Sequence, residues 1–316
     1  MENRASVLVT GATGFVGRNL YKHLMNCCAF KVRGTARSSG SNDPSIFCGM
    51  AIKSDSDWTE ALKGVDVVVH VAAKAHIELS DSSDQLEEFQ EVNVTGTVNL
   101  AEQAAQAGVK RFIFISSIGV NGQKSHQPIK ASDSVAPSGY YAKSKWEAEQ
   151  GLVQISKTTG LEIVIIRPPL VYGPGAPGNF GRLVRLVESG LPIPLGAVRN
   201  KRTIIGIDNL VSLIEACIDH PSAGNKVFLA GDGDDVSTPE LLRLVARAMG
   251  KPSRVIPVPL WLLRLALMLI GKRNVADKLT DSLQIDISST REVLGWSPVV
   301  TVNDGLRRCF IDGEVT

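Results

Sequence analysis

The sequence predicts an α/β protein: a doubly wound parallel sheet, followed by a smaller mixed α/β region. Two observations carry this expectation. Through the first half, short β-branched runs alternate with longer helical patterns. Strands joined by crossover helices pair in parallel and are covered on both faces. After residue 167 the character changes, and Pro168, Pro169, Gly173, Pro174, Gly175, Pro177 and Gly178 crowd one loop, the composition of a seam. The expected division is residues 1–170 and 171–316, with later returns of the chain to the first part.

In order along the chain, residues 6–10 (SVLVT) read as a buried strand running into a glycine-rich turn, and residues 19–25 continue the helix that the turn opens. Residues 31–37, 65–71, 111–116 and 161–167 read as further strands. Residues 86–108 have helical composition and stop at Gly108. Beyond the seam, helices are expected at about 180–189, 209–219 and 239–249.

Composition excludes several classes. Lys plus Arg (34) nearly balance Asp plus Glu (32), so a net charge of +2 offers no electrostatic footprint for nucleic acid or an anionic membrane. Five cysteines, an odd number without a C-x-x-C spacing, argue against a disulfide framework or a zinc site, and no metal is expected. That cysteine usage, with a first strand close to the N-terminus and no signal-like segment, suggests a cytoplasmic protein. Residues 259–270 are strongly apolar but interrupted by Arg264, and they fall short of the ~20 residues of a spanning helix. A packed helix is expected there, with membrane-surface contact as the lesser alternative.

The turn after the first strand reads Thr10-Gly11-Ala-Thr-Gly14-Phe15-Val16-Gly17. Glycines at this spacing permit a tight turn, close backbone approach to a pyrophosphate and tight helix–strand packing. The helix N-terminus adds unpaired N–H groups and its dipole. Strand, glycine turn and helix together point to a Rossmann-type dinucleotide site. A P-loop is excluded because no Gly-Lys-Ser/Thr closes the motif.

A second constellation is Tyr141-Ala-Lys-Ser-Lys145, helical in composition after Pro137-Ser138. Four residues apart, Tyr141 and Lys145 share one helix face, whereas Tyr140 points elsewhere. A phenol titrating near 10 needs neighbouring positive charge to serve as an acid–base group, and Lys145, with a cationic nicotinamide during turnover, is expected to bring its pKa down. Ser116-Ser117 close the strand at 111–116, at the sheet edge where α/β ligand sites lie.

The glycine turn and the Tyr-x-x-x-Lys pair together resemble the extended short-chain dehydrogenase/reductases, the NAD-dependent epimerase/dehydratase family. The resemblance runs over most of the chain, through Arg167-Pro168-Pro169-Leu-Val-Tyr172-Gly173-Pro174-Gly175, Lys201-Arg202-Thr-Ile-Ile-Gly-Ile-Asp208-Asn209 and Leu294-Gly295-Trp296-Ser-Pro298. It implies Ser117, Tyr141 and Lys145 as catalytic residues, with Ser116 as the alternative to Ser117. It implies cofactor contacts at Thr10, Gly11, Gly14, Phe15, Val16, Gly17, Ile52, Ala72, Ala73, Asn93, Lys145 and Pro168. Ser117, Tyr141, Asn179 and Arg202 are implied on the substrate side. Where NAD-specific relatives carry an acidic residue after the second strand, this chain has Arg37 and Ser38. These suit a 2′-phosphate, so NADP(H) is the expected cofactor, with NAD(H) as the alternative. Ala51 stands where relatives place an adenine-binding Asp.

The implied activity is C4 chemistry on a UDP-sugar for surface polysaccharide. The first expectation is an NADPH-dependent reductase of a UDP-4-keto-6-deoxy-hexosamine, and the alternative is a UDP-hexose 4-epimerase. A non-catalytic dinucleotide sensor and a reductase of lipophilic ketones are weaker readings. A homodimer through the helices bearing Asn93 and Tyr141 is also implied.

Overall fold

The computed structural model describes residues 4–38, 43–75, 83–269 and 279–311. Its main sheet follows from the run of apolar strands. β1 (Ser6–Thr10), β2 (Lys31–Thr35), β3 (Ile46–Phe47), β4 (Val67–His70), β5 (Arg111–Ile115), β6 (Glu162–Arg167) and β9 (Lys226–Leu229) lie side by side in the order β3-β2-β1-β4-β5-β6-β9, every pair parallel. The central strands are buried on both faces because alternate residues enter different cores. Val7, Val9, Val67, Val69, Ile113 and Ile115 face a cluster with α1 (Phe15–Cys27) and α7 (Ile207–Asp219). Leu8, Val68, Phe112 and Phe114 face the opposite cluster with α4 (Gly96–Gln106) and α5 (Tyr140–Thr159).

Expectation and structure differ in four places. The second strand stops at Thr35 rather than residue 37, where the glycine turn crosses it and Ala12 N–H donates to Thr35 O at 2.9 Å. β3 has two residues, too few for any periodicity to be read. The helical stretch at 86–108 is three elements: α3 (Ser83–Phe89), a π-helical segment (Gln90–Thr95) and α4, with Gly108 at φ +80° beyond the end. The tyrosine-bearing helix opens at Gly139, φ +81°, rather than at Pro137-Ser138.

Beyond β6 the chain builds a second sheet, β10-β8-β7, from β7 (Leu170–Tyr172), β8 (Arg202–Gly206) and β10 (Asp235–Val236). A third apolar cluster joins it to α6 (Gly178–Glu188), α8 (Thr238–Ala248) and the start of α9 (Leu260–Leu269). Ser237 and Glu240 form a capping box that opens α8. The chain also returns to the first sheet: β9 adds to β6, and α7, Leu294 and Trp296 pack into the first cluster. Among the described residues, no helix is long and apolar enough to cross a membrane.

Candidate active site at the carboxyl edge of the sheet

The strand order reverses between β1 and β4, and their registered ends, Thr10 opposite His70, open the crevice where α/β folds hold ligands. Gly11 sits at φ +69°, and a Cβ there would stand 3.0 Å from Ala72 Cα. Ala72, two residues after β4, thus faces the glycine turn, and half-buried Ala73 follows it. The hydroxyl of Thr10 accepts from Val71 N–H and Ala72 N–H and bonds His70 Nδ1 at 2.8 Å. The other His70 nitrogen bonds Thr97, and burial holds the ring neutral by pushing its pKa down to about 3. Thr10 is therefore spent on binding the two loops together.

Gly14 caps α1 with no side-chain bond to its first N–H groups, which leaves those donors for a ligand phosphate. Phe15 and Val16 begin the helix and are half-buried, and a Cβ on Gly173, in the loop after β7, would touch the Phe15 ring at 3.1 Å. Gly17 is the tightest point: its Cβ would fall 2.1 Å from Gly11 O, against 3.3 Å for the corresponding atom on Gly14. A bare backbone cradle at a helix N-terminus, closed by Ala72, fits a dinucleotide pyrophosphate. Gly17→Ala is expected to push the turn apart, costing roughly 1–3 kcal/mol of stability and most of the dinucleotide affinity. Gly14→Ala is expected to be far milder. Thermal melts and NAD titration of both variants check the contrast.

Across the crevice, β5 ends in two serines with different surroundings. Ser116 is buried, and its hydroxyl donates to Glu149 at 2.5 Å. Ser117 is half-buried, and among the described residues its Oγ accepts only Gly119 N–H, at 3.1 Å. Of the two, Ser117 has the hydroxyl proton free for a substrate oxygen. Pro168 follows β6, buried, with its carbonyl accepting from Ile118 N–H behind Ser117.

Tyr141 lies in the first turn of α5, half-buried, its ring 6.3 Å from that of Phe89. Lys145 is one turn on and fully inside. Its ammonium donates to Ile115 O at 2.8 Å and lies 4.3 Å from the centre of the Phe114 ring. Burial pushes the Tyr141 phenol up to about 12, so acid–base work near neutrality calls for the neighbouring positive charge to offset burial. Burial also lowers Lys145 to about 7, opposed by the charge of Glu149.

Asn93, in the π-helical segment, is buried, and its amide is committed to protein. Oδ1 accepts from Lys74 N–H, while Nδ2 donates to Lys74 O and to Ser144 Oγ. It ties the loop after Ala73 to the tyrosine helix. Ile52 turns its side chain into the core, against the Cα of Gly96, and Arg37 and Ser38 are exposed just past β2. Asn179 is exposed on α6, and half-buried Arg202 begins β8, donating to Asp281 O. Both belong to the second sheet and its helices, on elements separate from the carboxyl-edge cluster.

A buried polar network went unread in the sequence. Arg167 pairs with Glu149 through two bonds, 3.0 Å from Nε and 2.5 Å from NH2, and donates to Asn121 Oδ1 at 2.9 Å. With Ser116 it joins the ends of β5 and β6 to α5. The readable signal was Glu149, four residues after Lys145 and so on the same inward stripe as Ala148, Leu152 and Ile155.

Comparison with known proteins agrees with this architecture. Residues 7–231 match the NAD dependent epimerase/dehydratase family. A Vibrio cholerae protein named UDP-glucose 4-epimerase is 47% identical over 307 residues, covering 96% of this chain and 94% of its own. An Escherichia coli O157:H7 protein, N-acetyl-alpha-D-glucosaminyl-diphospho-ditrans,octacis-undecaprenol 4-epimerase, is 30% identical over 262 residues, 82% and 77% of the two chains. Among solved structures, UDP-glucuronic acid 4-epimerase from Bacillus cereus in complex with NAD superposes with a TM-score of 0.76 at 22% identity, covering 96% of each chain. Glycine cradle, serine, tyrosine and lysine at one sheet edge, and a family match across most of the length, lead to one conclusion: the chain is an enzyme of the NAD dependent epimerase/dehydratase family, of short-chain dehydrogenase/reductase type.

Proposed function

We propose that the protein is a UDP-hexose 4-epimerase that retains NAD and returns it unchanged after each turnover. The observation that carries this reading is the 47% identity with UDP-glucose 4-epimerase over nearly the full length of both chains. The geometry supports it: Ser117 follows β5, and Lys145 reaches the carbonyl of Ile115 at the carboxyl end of that strand, in the sheet that also carries the Gly11 turn.

A nicotinamide bound in that crevice supplies the hydride acceptor and donor. Ser117 Oγ–H donates to the C4 oxygen of the sugar and orients it. Tyr141, as phenolate, accepts the C4 hydroxyl proton, a state favoured by the positive charges of Lys145 and of the oxidised ring. It returns the proton after the 4-keto sugar has presented its other face. Asn179 and Arg202 are the proposed diphosphate-side contacts. Residues 1–170 and 171–316 are the proposed cofactor and substrate parts, with β9 and α7 as returns to the first. The homodimer is part of the same reading, and exposed Leu86, Tyr140 and Val153 on α3 and α5 support it.

Arg37 and Ser38 favour a second reading: exposed beyond β2 with no carboxylate, they suit a 2′-phosphate and hence net reduction by NADPH of a UDP-4-keto-6-deoxy-hexosamine. One experiment separates the two. UDP-glucose, UDP-N-acetylglucosamine and UDP-4-keto-6-deoxy-hexosamine are incubated with the enzyme, with product NMR and NADPH absorbance followed together. Interconversion of C4 epimers with no net change in absorbance supports the epimerase. Stoichiometric NADPH loss on the keto sugar alone would replace it with the reductase.

A further inference from the structure

We propose that the outer face of α9 rests on an anionic lipid bilayer surface. This surface lies outside the catalytic machinery and independent of which sugar is turned over.

The helix reads LWLLRLALML, with Arg264 its sole polar residue. One side is accounted for by the fold: Leu263 is buried in the third core cluster, and Leu260 packs against it. The opposite side carries Trp261, Leu265 and Met268, 67%, 47% and 54% exposed. Spaced i, i+4, i+7, these form a single outward stripe. A helix apolar on both faces needs a partner for the second one. Two further exposed apolar residues lie on loops outside the helix. Ile193 N–H donates to Arg254 O and Ile256 N–H to Ile193 O, which holds the 190–196 loop beside residues 254–256. Exposed Leu191 and Ile256 thereby sit on adjoining backbone.

Length and charge choose the occupant. Ten residues of helix rise about 15 Å, half a bilayer core, so α9 lies on a membrane rather than crossing it. Residues 251–269 include Lys251, Arg254 and Arg264 and no Asp or Glu, in a chain whose charges otherwise nearly cancel. All three cations are exposed. Arg254 reaches Gly190 O and Arg264 reaches Thr280 Oγ1, both uncharged acceptors. A two-fold contact between copies through this face would bring the same three cations together, which disfavours it. Anionic headgroups match them, and an apolar stripe with a tryptophan and flanking cations is the chemistry of an interfacial helix.

The test is sedimentation of the full chain with vesicles of phosphatidylcholine alone or mixed with phosphatidylglycerol. Binding is expected to the mixed vesicles, falling about tenfold in roughly 0.5 M salt and in Leu265→Glu or Met268→Glu. Both positions are exposed, so the variants keep the fold, checked by circular dichroism and unchanged turnover of a soluble UDP-sugar. Trp58 and Trp296 are buried and Trp146 is half-buried on α5, so Trp261→Phe assigns the blue shift of emission on binding and is expected to lose most of it. Equal sedimentation with neutral vesicles, none with anionic ones, or a glutamate variant that changes only the oligomeric state would overturn the proposal.

Discussion

Tyr141→Phe is expected to lower kcat by roughly 10²–10⁴-fold, the usual worth of a positioned acid–base group, while leaving NAD affinity nearly unchanged. The argument is one of position and charge. Tyr141 is in the first turn of α5, one turn before Lys145, and is half-buried with its ring beside that of Phe89. Burial alone holds it at about 12, so it needs the positive charge of Lys145 to act near neutrality. Phenylalanine keeps the ring packing and removes only the hydroxyl, so the loss falls on the chemical step. Tyr140→Phe, one residue away and exposed, is the control and is expected to be near wild type. Steady-state kinetics with parallel NAD titration checks both. A Tyr141→Phe enzyme turning over at the wild-type rate would remove the residue from the proton path.

The largest stability effect is expected at Glu149. Its carboxylate is buried, takes two bonds from Arg167 and one from Ser116, and has Lys145 one turn away. Glu149→Ala leaves the Arg167 guanidinium buried without its counter-charge, a change that costs about 3–5 kcal/mol where one partner of such a pair is removed. Urea denaturation measures it, and Glu149→Gln, which keeps hydrogen-bonding atoms, is expected to cost less. A second readout separates positioning from mere support. The Glu149 charge holds Lys145 up against the lowering effect of burial. Without that charge Lys145 loses its proton at lower pH. The alkaline limb of kcat/KM, where a protonated Lys145 is required, should therefore move to lower pH in Glu149→Gln. The other charged or titratable side chains packed nearby are His70, held neutral by burial, Tyr141, raised by burial, and the Arg167 guanidinium paired with Glu149. An unmoved limb would confine Glu149 to a structural role.

Much of this was legible in the residues. Strands with apolar side chains at every position announce a sheet covered on both faces, and 3.6-residue periodicity marked α6, α7 and α8 to within two residues of their bounds. The glycine turn was legible because Gly11 and Gly17 each meet a steric demand that no other residue satisfies. Less was visible where tertiary contacts decide. Which serine at the end of β5 is free depends on Glu149, 33 residues further on. The amide of Asn93 is consumed by Lys74 and Ser144, partners that only the folded chain brings within reach. The burial that raises the Tyr141 phenol was also not visible, because spacing along a helix places two side chains on one face without saying what packs around them or where a long lysine reaches. Lys145 found a strand-end carbonyl.

The central claim is that a hydride leaves C4 of the sugar for a nicotinamide at this edge and returns to the same carbon. Conversion of a UDP-hexose carrying deuterium at C4, in ordinary water, tests it most directly. Mass spectrometry of the epimerised product should find the deuterium still at C4, since the hydride is never released to solvent. Product whose C4 deuterium has exchanged for solvent hydrogen would mean that the inversion takes a proton route, and the roles given to the crevice and to Tyr141 would fall together.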